Sequence, residues 1–483
     1  MRIIFIQDLG INESLALADL SAFLKSKGHS CDLLIESEER NLLRSIREFC
    51  PDMFVIPCDI GALFWSLKIA ALIKKNFYKP VVFCGTCPSF YPYVVINYPE
   101  VDIICIGETE YTILELLEKI ENKEDTSNIR NLWVKKNGKI YKNDLRPLIE
   151  DLEELPLPDR ELYFKYKYIR DFSLKRFTSG RGCVNSCSFC YNSIFREKYR
   201  GKGSYVRRKS ISRIIQEIED VQERSFLRSI HFSDDIFTYD KKWVLEFSQE
   251  YKKRINLPFT CNATADTIDE ELIDSLKKAN CTGIAMGLET GNEKLRKLVL
   301  NKNISNYQIL KAGRLIKKYG LFLVTFNMIA LPEETIENTF ETMRINSDMK
   351  TDHIRLTFAL PLPETKLAKM GLERNFFTKE EIWKLMNSTL YPDSPICKSN
   401  YRKQHENLFY LFRIGVKFPL LLPLIKFMIR MLLIKIFFIL PNLILINYYE
   451  KRFFNITWYS GIKYFLRSGN LEERTKVFNN YMP

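Results

Sequence analysis

The sequence predicts an α/β chain in three parts: a doubly wound, Rossmann-like domain, a partial (β/α)6 barrel open on one side, and a helical, apolar C-terminal region. Three observations carry that expectation. Short β-rich runs alternate with helical stretches from the first residue and again from Phe177 to about residue 370. Alternation of this kind builds parallel sheets covered by helices. Polar residues gather just after the apolar runs of the second part, where barrel enzymes place their sites. Beyond residue 371 the pattern changes to long apolar stretches broken by lysine, arginine and proline.

At 483 residues, 27% charged and 46% apolar, the chain has the make-up of a folded protein of about three domains. The boundaries read as 1–125, a hairpin and linker over 126–172, the barrel over 173–371 and the last region over 372–483. A net charge of +13 admits nucleic acid, but no basic–aromatic binding motif supports it, so no nucleic-acid partner is expected. Attraction to a membrane surface fits the charge as well. The twelve cysteines lack the spacing of a disulfide framework and suit a reducing compartment. The first residues read as a strand and not a signal peptide, so a cytoplasmic location is expected.

In the first domain, Arg2–Gln7, Cys31–Ile35, Met53–Cys58, Val81–Cys84 and Val101–Ile106 are strand-like, and Ser14–Lys27 and Asn41–Phe49 have helical spacing. Ligands of such sheets bind beyond the carboxyl ends of the strands. Here those ends lead into Asp8–Asn12, Asp59–Ala62, Cys84–Ser89 and Gly107–Glu110. No G-x-G-x-x-G follows the first strand, which disfavours a nicotinamide or flavin dinucleotide. Gly85 lets backbone approach a bulky ligand, and Thr86 and Ser89 offer hydroxyls; ordinary turn chemistry explains the same residues equally well. Trp133–Tyr141 reads as a hairpin turning at Asn137-Gly138, and a Pro-bearing linker follows at 151–159.

The barrel strands are one before Cys183, then Arg228–Phe232, Phe259–Ala263, Gly283–Leu288, Leu321–Ala330 and His353–Leu360. Between the first and second, Arg181-Gly-Cys183-Val-Asn-Ser-Cys187-Ser-Phe-Cys190 holds three cysteines in a C-x3-C-x2-C pattern. Three thiolates so close can each take one corner of an iron–sulfur cube, leaving the fourth iron open. The alternatives are three unrelated thiols or a zinc site; zinc wants a fourth cysteine or histidine at ligand spacing, and none lies near. After other strands stand Asp234-Asp235 and Glu289, whose carboxylates can accept from an ammonium or from ribose hydroxyls. A helix N-cap pair and a surface acid are the plainer readings of these.

These motifs resemble the cobalamin-dependent radical S-adenosylmethionine (SAM) enzymes of the class B methyltransferase type, over roughly residues 1–370. The resemblance implies that Cys183, Cys187 and Cys190 bind a [4Fe-4S] cluster whose open iron chelates SAM. It implies that Phe189 lies near the adenine and that Asp234, Asp235 and Glu289 help hold SAM. In the first domain the family carries Gly-Gly-x-His-Pro-Thr and Gly-Glu-Gly-Glu turns. This chain keeps Gly85 and Pro88, with Ser89 for Thr and Cys87 for His, and keeps Gly107, Glu108 and Glu110. Cobalamin is thereby expected at Gly85, Thr86, Ser89, Gly107 and Glu108. The Asp-x-His-x-x-Gly motif that gives cobalt a histidine elsewhere is absent. Two further departures are Glu333 and Glu364, which replace glycines in the turns after the fifth and sixth barrel strands. If those glycines had positive φ, each replacement costs on the order of 1 kcal/mol and reshapes its turn.

The implied activity is reductive cleavage of SAM to methionine and a 5′-deoxyadenosyl radical, followed by cobalamin-dependent methylation of an unactivated carbon in a small or lipid-like substrate. Its reductant would be of the flavodoxin or ferredoxin kind. The competing readings are a radical cyclase or rearrangement enzyme, and a non-catalytic iron–sulfur sensor or scaffold at a membrane. In the last region, 409–449 is apolar with interspersed basic residues and prolines, and its longest uncharged run, Ile436–Tyr449, has 14 residues. That is short of the ~20 needed to span a bilayer. It reads as a segment for peripheral membrane contact, the alternative being helices packed on the barrel.

Overall fold

The computed structural model describes residues 1–8, 13–384, 401–431 and 434–454. The strands are β1 (Arg2–Gln7), β2 (Ser30–Ile35), β3 (Met53–Pro57), β4 (Val81–Cys84), β5 (Ile103–Cys105), β6 (Leu132–Lys136) and β7 (Lys139–Lys142), then β8 (Leu174–Phe177), β9 (Gly180–Arg181), β10 (Arg207–Arg208), β11 (Ser229–Phe232), β12 (Phe259–Ala263), β13 (Cys281–Glu289), β14 (Phe322–Ile329) and β15 (His353–Phe358).

The first sheet has the order β2-β1-β3-β4-β5-β6-β7, with β1 to β5 parallel. Its order reverses between β1 and β3, which opens a crevice at the carboxyl ends of those strands. Alternate side chains bury on opposite faces: Ile3, Phe5 and Val55 join one core, and Ile4, Ile6 and Phe54 the other. The helices start where sequence placed them because Ser14 and Asn41 accept from backbone N–H groups three residues on. The hairpin turns at Asn137 and Gly138, both at positive φ. It pairs with β5 and extends this sheet instead of standing in the linker.

The second sheet runs β8-β11-β12-β13-β14-β15, six parallel strands in chain order. Ile230, Phe232, Cys261, Ile284, Met286 and Leu323 point to the covering helices and share one core with the first domain. Leu152, Leu155, Tyr163 and Phe164 of the linker fill the join.

The opposite face of the six-stranded sheet meets the C-terminal helix Ile434–Phe454. Phe453 is buried against Ala285 and Val324, and the Ser229 hydroxyl donates to the Phe454 carbonyl at 3.0 Å. The Arg355 guanidinium lies 5.4 Å from the rings of both Phe453 and Phe454. The helix thus fills the side that two further β/α units would close, toward the amino ends of the strands. The carboxyl ends remain for the site. Helix Arg402–Lys417 packs Leu408, Leu411 and Phe412 on Ile329, Phe340 and Ile354. Much of the segment read as a membrane contact is therefore packed on the barrel. No helix among the described residues is long and apolar enough to cross a membrane.

Candidate active site

The cysteine loop leaves β8 through the short ribbon of β9 and β10. Gly182 has φ +87°, and a Cβ there would meet the Tyr205 carbonyl oxygen at 2.1 Å, so only glycine lets the chain enter Cys183 this way. From there the loop crosses the barrel mouth. Ser188 N–H donates to Leu300 O at 2.9 Å, its hydroxyl donates to Val299 O at 2.6 Å, and its carbonyl accepts from Leu367 N–H at 2.9 Å. One serine thereby ties the first strand's loop to those after β13 and β15. Phe189 packs on Leu295, Leu300, Met328, Leu331 and Leu367.

Cys190 is the N-cap of helix Tyr191–Lys198. Asn185 N–H donates to the Cys183 sulfur at 3.4 Å, and the Asn192 amide donates to the Cys190 sulfur at 3.6 Å. Burial pushes the Cys183 thiol up to about 11 and the Cys187 thiol up to about 12, with Lys302 opposing the rise at Cys187. The free loop therefore holds thiols, and metal binding must displace protons from them.

The carboxylates divide by role. Asp234 is buried, and both its oxygens accept from Ser179, at 2.9 and 3.0 Å from the backbone and 2.6 Å from the hydroxyl. It pins the end of β11 to the end of β8. Asp235 is exposed to the opening, and its charge bears on Cys183, Cys190 and Tyr205. Its carboxyl is raised by the surrounding protein, with Asn192 opposing. Glu289 ends β13 at a register shift with φ +64° and lies 2.9 Å from Lys302, both side chains buried. A cavity of about 250 Å³ opens beside the loop, lined by Gly180, Arg181, Gly182, Ser233, Asp235 and Tyr239 among others.

Thiols, an open carboxylate and a neutralised one thus converge at the carboxyl ends of a six-stranded half-barrel. Residues 177–345 match the radical SAM superfamily. The chain carries a radical SAM domain. It is 26% identical over 377 residues to an uncharacterised methyltransferase of Pyrococcus horikoshii, covering 75% of this chain and 80% of that protein. It is 24% identical to the anaerobic magnesium-protoporphyrin IX monomethyl ester cyclase of Rubrivivax gelatinosus, covering 82% and 74%. Its fold is similar to the structure of the radical SAM methyltransferase TsrM from Kitasatospora setae with cobalamin and a [4Fe-4S] cluster bound. There the TM-score is 0.64 at 16% identity, covering 77% of this chain and 78% of that one.

The domain implies a [4Fe-4S] cluster and SAM, and the donor set of this chain fits them. Among the described residues no three His, Cys, Asp or Glu side chains gather tightly enough for one metal ion. A single tetrahedral zinc needs sulfurs about 3.8 Å apart, from Zn–S bonds of about 2.3 Å. A cube takes each thiolate at a different corner, so thiols that sit near one another without converging on one point suit it.

In the first domain the structure gives the sequence-derived cobalamin residues partners inside the protein. Thr86 donates to Asp59 at 2.9 Å from its hydroxyl, and Ser89 donates to Gly85 O at 2.6 Å while accepting from Gly107 N–H at 3.0 Å. Gly107 has φ +78°, and the Tyr199 hydroxyl occupies the space a Cβ would need. Glu108 pairs with Arg181 at 3.1 Å and Arg207 at 2.9 Å, and Glu110 with Arg181 at 2.6 Å. The Gly-Glu-x-Glu turn is thus a charged clamp between the first domain and the cysteine loop. The same interface leaves other groups open. Phe90 stacks on Tyr191 at 4.0 Å, and the buried hydroxyls of Tyr91 and Tyr191 have no hydrogen-bond partner. Burial raises the Tyr191 hydroxyl, and the nearby Cys87, Cys190 and Asp59 add to the rise. His29, the histidine of this domain, precedes β2 beside the chain's N-terminus, at the far end of the sheet. Residues 9–12 of the first strand's loop lie outside the described residues.

Lys302, Asn192, Tyr91 and Tyr191 were not picked out from sequence, since nothing in their local pattern marks them. Glu333 and Glu364 have φ of 66° and 61°, so the turns keep the left-handed backbone despite losing glycine, and Ala330 joins them at 59°. Strained residues clustered around one mouth are what a site under functional constraint accumulates. Glu333→Gly and Glu364→Gly are each expected to raise stability by about 0.5–1 kcal/mol, read as a higher denaturant midpoint with unchanged slope. The ion pairs lost, to Arg374 and Lys369, are exposed and contribute little.

Proposed function

We propose that this chain is a cobalamin-dependent radical SAM methyltransferase acting on an unactivated carbon of a small or lipid-like substrate. The observation that carries the reading is the pair of unpartnered buried hydroxyls, Tyr91 and Tyr191, set between the carboxyl edge of a doubly wound sheet and the cysteine loop. A buried hydroxyl without a partner costs about 1–3 kcal/mol, and the carboxamide rim of a corrinoid supplies suitable acceptors. TsrM, a methyltransferase of similar fold, binds cobalamin, and the P. horikoshii relative is described as a methyltransferase.

When bound, the cluster supplies the electron that cleaves the SAM sulfonium, and the corrinoid supplies a transferable methyl group. The chain's own residues bind and orient. Cys183, Cys187 and Cys190 hold the cluster. Asp235 accepts from the SAM ammonium or ribose, and Glu289, held by its ion pair with Lys302, offers a second acceptor. Phe189 gives an apolar wall. Asp234 acts at one remove, by pinning the loop that carries Asp235. Arg181 and Arg207 hold the two domains together through Glu108 and Glu110, which excludes water from the interface. His29, the histidine of the first domain, lies at the amino end of the sheet and would take no part in holding a corrinoid at the carboxyl end. An external reductant of the flavodoxin or ferredoxin type completes the requirement.

The test is anaerobic turnover with SAM bearing a trideuterated methyl group, read by mass spectrometry. Methylation yields S-adenosylhomocysteine together with 5′-deoxyadenosine and a label three mass units heavier in the product. The similarity to the Rubrivivax cyclase, over 82% of this chain, favours ring formation as the second reading. 5′-Deoxyadenosine with no S-adenosylhomocysteine and no label in any product would select it.

A further inference from the structure

The short segment after helix Arg402–Lys417 is apolar on both sides. It comprises the turn Pro419–Leu421 and the helix Leu422–Met428. Its inner face is anchored, with Ile425 and Ile429 buried in the core that also takes Met343 and Leu411. Its outer face should be polar if it met only water. Instead Leu420 is 95% exposed, Phe427 68%, Phe418 57%, Leu424 53% and Met431 51%, and Phe437 on the next helix is 68% exposed. Elsewhere in the described residues exposed large apolar side chains are scattered. Here they form one patch, and such patches mark surfaces that something covers.

Charge names the cover. From Asn407 to Tyr449 the chain carries Arg413, Lys417, Lys426, Arg430 and Lys435 and not one Asp or Glu. Lys417, Lys426 and Arg430 are exposed beside the apolar side chains. Aromatic and aliphatic side chains ringed by cations match the headgroup–acyl boundary of an anionic bilayer. The patch has a defined place. Lys426 pairs with Glu337, in the first turn of the helix that starts just after the β14 end loop. It therefore lies at the end of the barrel where the cysteines are.

We propose that residues 418–431 are a membrane-docking surface that seats the barrel mouth against anionic lipid. The docking stands on this patch alone; that it delivers a bilayer-partitioned, lipid-like substrate to the site rests on the function proposed above.

The test uses the full, cluster-loaded chain and sedimentation with vesicles of phosphatidylcholine and phosphatidylglycerol in a two-to-one ratio. Binding is expected, weakened by at least about tenfold in pure phosphatidylcholine or in Lys417→Glu/Arg430→Glu. Leu420→Ser/Phe427→Ser should weaken it by at least about tenfold, with SAM cleavage unchanged. Tryptophan at position 420 (Leu420→Trp) should shift to the blue and be quenched by brominated lipid. Absence of vesicle binding, or binding unchanged in the double serine variant, would overturn the proposal. So would a dimer of the wild type that the serine variant dissolves, since a second copy would then be the cover. Vesicle binding without SAM cleavage would instead count against the function and leave the docking intact.

Discussion

Cys187→Ala is expected to lower SAM cleavage by at least about a thousandfold, equivalent to about 4 kcal/mol, and to lower iron content after anaerobic reconstitution. The loop offers three thiols and nothing nearby to replace one, since no other cysteine or histidine stands at ligand spacing. Cys187 is also the thiol whose rise the Lys302 charge opposes. Losing it would leave a cluster with two of its three protein thiolates. Ser188, next to it, anchors the loop through backbone and hydroxyl contacts that alanine at 187 leaves alone, so the fold should persist. Cys50→Ala, at an exposed thiol of the first domain, is the control and should change neither reading. A Cys187→Ala protein with full iron content and wild-type cleavage would show that the three cysteines do not act as a set.

Arg181→Leu is expected to destabilise the chain by about 3–5 kcal/mol. The guanidinium is shared among Asp19, Glu108 and Glu110, and among the described residues only Glu108 has a second cation, Arg207. Leucine would leave Glu110, whose side chain is 4% exposed, as an uncompensated buried charge. The damage should fall at the join between the domains. Thermal unfolding should shift down, and proteolysis should concentrate in the Pro-bearing linker at 151–159. Arg181→Lys should recover part of the loss, since a point charge can serve one carboxylate but cannot fork among three. Unchanged stability and protease resistance in Arg181→Leu would mean the clamp is not what joins the domains.

Strand and helix positions were legible because their signals are local. Ser14 and Asn41 cap helices where spacing put them, and the six barrel strands follow β-rich runs buried on both sides. The cysteine spacing was legible for the same reason. The finer division of the site was not. Two adjacent aspartates read alike in sequence, yet Ser179, fifty-five residues away, takes one and leaves the other open. Lys302 reaches Glu289 only through the fold of the β13 end loop. Glu108 looked like a ligand for a cofactor, and its partners turned out to be arginines distant in sequence. The apolar tail misled in part because burial in a core and burial in lipid select the same residues. Only the packing of Phe412 and Phe453 on the barrel, against the exposure of Leu420 and Phe427, separates the two.

The corrinoid is proposed to sit between the first domain and the cysteine loop. The most direct test is the visible spectrum of the anaerobically reconstituted protein after gel filtration from excess hydroxocobalamin. Corrinoid absorbance is expected to co-elute at about one per chain, with markedly less retained by Tyr91→Phe/Tyr191→Phe at unchanged iron content. Protein that keeps its iron and elutes free of corrinoid would contradict it.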